Sequence, residues 1–296
     1  MSIATILLPD FSLILFGFLL YRGTRWGDAF WLGLEKLVYY VLFPALLFHS
    51  TARAPLDFAS TGSLLVVALA ATCAGIALGW LGKPLFRAGP MVFESGVQTA
   101  FRFNSYIAFA VATRLGGEQG VLLMALIIGF AVPLCNVAAV HALAHQSGGL
   151  WKGLLKNPLL IATLAGILFN LTGLPMPELA GAILGRLGNS SIALGLIMVG
   201  AGLRLSGLHE AKGISAWFLA VKLLALPALA YTLGRWLALP PLQLRIAVMF
   251  CALPTASSAY VLATQMGGNG PVVAFLISAG TLLSVATLPL WLALVQ

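Results

Sequence analysis

The stretch 252–268, ALPTASSAYVLATQMGG, approaches membrane length and is apolar, yet a proline and a run of hydroxyls interrupt it. Hydrocarbon offers no hydrogen bonds, so backbone at membrane depth is helical unless protein or a water-lined cavity covers the interruption. Pro254 lacks an amide hydrogen and clashes with the carbonyl four residues before it. The stretch 100–117, AFRFNSYIAFAVATRLGG, is an echo of the same pattern. A shift of about half the chain sets Ala108 on Ala259, Ala112 on Ala263, Thr113 on Thr264 and Gly116-Gly117 on Gly267-Gly268, with Asn104 falling on Thr255. Interruptions at matched positions of two halves point to the binding site of a transporter.

Around these two stretches lie others like them. A hydrocarbon core about 30 Å thick needs about 20 apolar residues per helix, and ten segments meet that description: 3–21, 29–50, 60–81, 94–115, 119–144, 158–173, 177–203, 214–237, 242–265 and 270–294. With 60% hydrophobic and 8% charged residues, the chain lies far from the roughly one-quarter charged composition of soluble domains. No polar stretch is long enough for a soluble domain. Residues 1–21 carry Asp10 and lack a basic leader, which predicts a first transmembrane helix rather than a cleaved signal.

The formal charge of +8 is spread in small groups between apolar segments, which excludes a nucleic-acid-binding face and instead reports topology. One set of alternate loops holds Arg22, Arg25, Lys83, Arg87, Lys152, Lys156, Arg204 and Lys212; the other holds Arg53, Arg114, Arg235 and Arg245. The bias predicts both termini outside the cytoplasm. Five helices per half is odd, so the halves, 1–148 and 149–296, are expected to be inverted repeats. Ile14-Leu15-Phe16 matching Ile167-Leu168-Phe169 adds fainter support, whereas the second and seventh segments do not align. Cys73, Cys135 and Cys251 are scattered in apolar segments without ligand spacing, so no metal and no cofactor are expected.

Several runs also carry a family likeness. LFPALLFHS at 42–50, RFNSYIAFAVATRLGG at 102–117, NPLLIATLAGI from Asn157 followed by LPMPE, and ALPTASSAYVLATQMGG followed by SAGTLLSVATLPLW resemble the auxin efflux carrier family, which includes bacterial dicarboxylate permeases and plant PIN-type auxin carriers. The resemblance covers nearly the whole chain. It implies an all-α membrane protein of ten transmembrane helices in two inverted five-helix repeats, with helices four and nine broken where they cross. It also implies carriage of small organic anions across a bacterial inner membrane. The chain departs from the plant pattern at Phe103 and Ala110, where that pattern has prolines, so complete unwinding of helix four is left open.

Asn104 leads the expected substrate site, because an unpaired amide in mid-segment costs several kcal/mol in hydrocarbon. Ser105 and Tyr106 follow it in the same run, and Pro254, Thr255, Ser257, Ser258 and Tyr260 come from the second interruption. Arg102 either binds the anion or snorkels to the interface. Asn136, after Pro133, resembles a PLxN pattern of the family, with an interhelical bond as the alternative. Lys222 reads as a snorkelling cation, Glu35 and Lys36 as interfacial, Asp10 as a helix-end carboxylate, and His49 as a titratable group at the outer end of the second segment.

These readings converge on a secondary transporter of mono- or dicarboxylates or auxin-like acids, working by alternating access around a midplane crossover. A sodium-coupled organic anion symporter of the bile acid type is the nearest alternative, and a membrane sensor or channel stands further off. No grouping of nucleophile, base and orienting residue suggests an enzyme. Expected partners are the small organic anion, membrane lipid and protons or sodium as coupling ion, without nucleic acid; a homodimer and a monomer both remain open.

Overall fold

The computed structural model describes residues 3–53, 58–143, 158–203, 212–256 and 258–295, and nothing but helices and their connections is found among them. In chain order they are α1 (Ile3–Gly23), α2 (Gly27–Leu37) and α3 (Phe43–Ala52) joined by a π turn, α4 (Phe58–Phe86), α5 (Pro90–Gly96) with a 3-10 turn to Ala100, and α6 (Ser105–Leu143). There follow α7 (Pro158–Leu171), α8 (Glu178–Ala201), α9 (Lys212–Ala220) and α10 (Leu226–Trp236) joined by a second π turn, α11 (Pro241–Ala252), α12 (Ser258–Gln265) and α13 (Gly270–Leu294). Six of the described helical runs are long and apolar enough to cross a membrane. The residues around Lys83, expected in a loop, continue α4 as far as Phe86.

The apolar segments are helical because each must satisfy its own backbone. Where proline removes a donor, another group takes the freed carbonyl. Pro227 leaves Leu223, four residues before it, without its usual amide partner, and the Trp291 indole donates to the Leu223 carbonyl at 2.9 Å. At the other kind of interruption, α6 turns on Gly116 and Gly117, the latter at φ 54 and ψ −136, a conformation that glycine adopts without steric penalty. That turn divides α6 into an apolar limb 105–115 and a second limb 118–143.

In lipid there is little hydrophobic drive between helices, so close packing of small residues does much of the work. Gly17 of α1 lies on the backbone of Ile197 in α8, and Gly200 of α8 lies on the backbone of Ile14. A Cβ at Gly17 would overlap the Ile197 carbonyl oxygen. Gly17→Leu is therefore expected to destabilise by at least the ~1–3 kcal/mol of ordinary overpacking, while Gly33→Leu, where a Cβ meets open space, should be nearly neutral. Thermal unfolding in detergent checks the pair. Nearby, α7 is tied to α3 by Asn170, whose amide donates to the carbonyls of Thr51 and Ala52 at 3.3 and 3.0 Å.

Candidate functional site

Both matched stretches are interrupted, and their interruptions meet. The first helical run ends at Ala100, Phe101 to Asn104 are non-helical, and α6 starts at Ser105. The break thus lies slightly earlier than the Phe103-to-Tyr106 distortion expected from sequence, and it is complete despite the missing prolines. In the second stretch α11 ends at Ala252, Leu253 turns to an extended ψ of 142, and helix resumes at Ser258. Ser257 lies outside the described residues.

Hydrogen bonds sew the two breaks together. The Asn104 amide N–H donates to the Pro254 carbonyl at 2.8 Å. Thr255, the position matched to Asn104, donates its hydroxyl to the Thr99 carbonyl at 2.8 Å. Gln98, fully buried, sends its side-chain amide to the carbonyls of Ser95 and Ala259, each at 3.2 Å. Arg102 reaches the Ser258 hydroxyl at 3.2 Å. The first three residues thus supply partners that buried backbone freed from helix requires, while the Arg102–Ser258 bond lies on the exposed side of the breaks.

The Asn104 side chain is split between two tasks. Its Oδ1 accepts from the amides of Tyr106 and Ile107 at 3.0 and 3.3 Å, capping the N-terminus of α6. Its Nδ2 is buried and has no hydrogen-bond partner, although the residue is only 1% exposed. A donor left in that condition costs about 1–3 kcal/mol, which a bound acceptor would recover.

Sequence reasoning misjudged Lys222. Rather than snorkelling, it is 2% exposed, and it is the one charged side chain in the buried class among the described residues. The π turn Val221–Ala225 carries it inward, and its ammonium donates to the Cys251 carbonyl at 3.2 Å at the end of α11. It thereby places a cation on the negative end of a helix dipole. Arg102, within the first break, adds to its bond with Ser258 a marginal 3.5 Å contact to the Gln98 side chain. Each break leads into a helix N-terminus, and two cations stand beside them, Lys222 on the carbonyl end of α11 and Arg102 on the first residue of α12.

Against this geometry, the second half of the chain matches the membrane transport protein family over residues 143–292. The chain belongs to that family. The transporter is 29% identical over 286 residues to an "Uncharacterized transporter" of Methanothermobacter thermautotrophicus, covering 94% of each chain. It is 26% identical over 302 residues to a "Putative malonate transporter" of Rhizobium meliloti, covering 97% of this chain and 93% of that one. The resemblance to auxin efflux carriers read from the sequence agrees with this membership.

Of the other expected site residues, Ser105 opens α6 and is half-buried beside the break. Tyr106 is half-buried with its ring 4.7 Å from that of Phe43 and against Gly195 of α8. Asn136 is half-buried on α6 without a side-chain hydrogen bond among the described residues, while its neighbour Cys135 approaches the Phe101 carbonyl at 3.6 Å. Tyr260 is 43% exposed, so in this conformation it does not close over the breaks. Ser95 and Asn269, unremarked in the sequence, are joined by a 2.7 Å bond that pins the turn before α13, where Asn269 also caps Val272. Among the described residues no cluster of His, Cys, Asp or Glu has the arrangement of a metal site.

Proposed function

We propose that this transporter carries small organic anions, mono- or dicarboxylates including auxin-like acids, by secondary active transport, alternating access around the paired breaks. The observation that carries the reading is the buried, partnerless Nδ2 of Asn104 beside the crossing. Two helix N-termini, of α6 and α12, begin there, each equivalent to roughly half a positive charge. Lys222 adds a full charge at the Cys251 carbonyl and Arg102 another beside the Ser258 hydroxyl. An anion is the ligand such a site favours, and the malonate in one relative's name is a dicarboxylate.

In this reading α2 with α3, α5 with the first limb of α6, α9 with α10, and α11 with α12 each form one membrane crossing, which makes ten crossings in two inverted repeats, 1–148 and 149–296. Both termini then face away from the cytoplasm across an inner membrane. The test is uptake of radiolabelled mono- and dicarboxylates into proteoliposomes, with proton or sodium gradients imposed separately. Saturable uptake of at least one small carboxylate is expected. Uptake that requires sodium would favour the bile-acid-type symporter instead, and absence of carboxylate uptake under every gradient would overturn the proposal.

A further inference from the structure

A cavity of about 490 Å³ opens between the C-terminal end of α3 and the first half of α8, and none of its lining residues belongs to the crossover. Its polar lining is His49 and Arg53 on one side and Glu178, Arg186 and Asn189 on the other. Two guanidinium groups face one carboxylate. The volume lies in the range of small-ligand sites, roughly 300–1,000 Å³. Along α8 the nearest lining residue, Asn189, stands six residues, or roughly 9 Å at the rise of an α-helix, from Gly195, where Tyr106 of the crossover packs.

The charged side chains that line this cavity form no ion pair with one another among the described residues, and Glu118 of α6 lies close enough to the His49 ring to act on its charge. Among the described residues the Arg186 guanidinium has no hydrogen bond or ion pair, and neither has the Glu178 carboxylate. Arg53 Nη1 donates to His49 Nε2 at 3.2 Å. Because a guanidinium offers only donors, the ring nitrogen accepts, and the imidazole neither holds a proton there nor supplies an acceptor for Arg186. Arg186 stands eight residues into α8, roughly 12 Å from its start, exposed on the cavity wall with five N–H donors that no described group accepts. A planar oxyanion satisfies several of them at once in the forked geometry that guanidinium prefers.

We propose that this cavity is a second oxyanion site, distinct from the crossover, which takes a carboxylate or phosphate group between Arg53 and Arg186. The group comes either from a soluble anion or from the headgroup of an anionic phospholipid seated at the rim of the helices. Asn189 supplies an amide on the same wall, and Gly181 and Gly185 line the cavity without side chains.

The test uses the full chain in nanodiscs of phosphatidylcholine alone or mixed with phosphatidylglycerol, with thermal unfolding followed as sodium succinate is titrated. The background is Asn104→Ala, which removes the crossover's partnerless donor. In phosphatidylcholine, succinate should still raise the unfolding temperature saturably in that background. Adding Arg53→Gln and Arg186→Gln should weaken the response at least tenfold. If phosphatidylglycerol raises the midpoint by itself in the Asn104→Ala protein, blocks the succinate response, and loses both effects in the triple variant, the source is the lipid headgroup. Should the triple variant fold poorly without ligand, Arg186→Gln alone, at an exposed side chain, carries the comparison. Equal responses with and without the arginines in both lipid mixtures would overturn the proposal, and failure of carboxylate uptake by the wild-type protein would not.

Discussion

Asn104→Ala is expected to weaken anion binding by roughly tenfold to a hundredfold, the effect of losing a charge-assisted hydrogen bond of about 1.5–3 kcal/mol. The same change deletes the two capping interactions that Oδ1 makes with Tyr106 and Ile107, at a cost of about 1 kcal/mol in stability. Asn104→Asp separates the two roles. A carboxylate caps a helix N-terminus as well as an amide does, but it replaces the Nδ2 donor with an acceptor and sets like charge beside the substrate. Transport should therefore fall further in the aspartate variant than in the alanine variant. Binding and uptake measured alongside detergent thermostability decide the matter: an alanine variant with wild-type affinity would remove Asn104 from the site.

Lys222→Met is expected to reduce transport at least tenfold while leaving the unfolding temperature unchanged or higher. The opposing terms can be ranked. Methionine leaves the Cys251 carbonyl without the donor it has now, a loss of about 1–3 kcal/mol. It also abolishes the burial of an ammonium that is 2% exposed with a single hydrogen-bond acceptor, and such burial costs several kcal/mol per ion. The second term is the larger, so the fold gains or breaks even, while the crossing loses a fixed positive charge that the proposed anion needs. Wild-type uptake by Lys222→Met would show that the charge serves the fold rather than the substrate.

The two breaks were legible in the sequence because proline and asparagine in an apolar segment violate the membrane rule in a way that only a covered site excuses. The echo between Ala108-to-Gly117 and Ala259-to-Gly268 picked out the pair before their contact was known. Lys222 was not legible for a contrary reason. A lysine set directly between Val221 and Leu223 in an apolar segment looks like any snorkelling side chain, and a π turn that redirects it leaves no mark in residue type beyond Pro227 five positions on. Gln98, Ser95 and Asn269 were equally hidden, since each is tied to residues more than 150 positions away. The stretch 100–104 broke without the two prolines of the plant pattern because its freed groups found partners in the other break, which local sequence does not contain.

One contact implies a mechanical property of the molecule. The hydrogen bonds between helices described above stay within one of two groups: α3 with α7 on one side, where Gly188 of α8 also packs on Leu46 of α3, and the helices around the breaks on the other. Where the groups touch, the ring of Tyr106 lies on the bare backbone of Gly195 and beside the ring of Phe43. A face of aromatic carbon on glycine has no directional bonds to break when it shifts, whereas the crossing has several. Shear would therefore concentrate at this smooth bearing, with the hub of the crossing carried along intact.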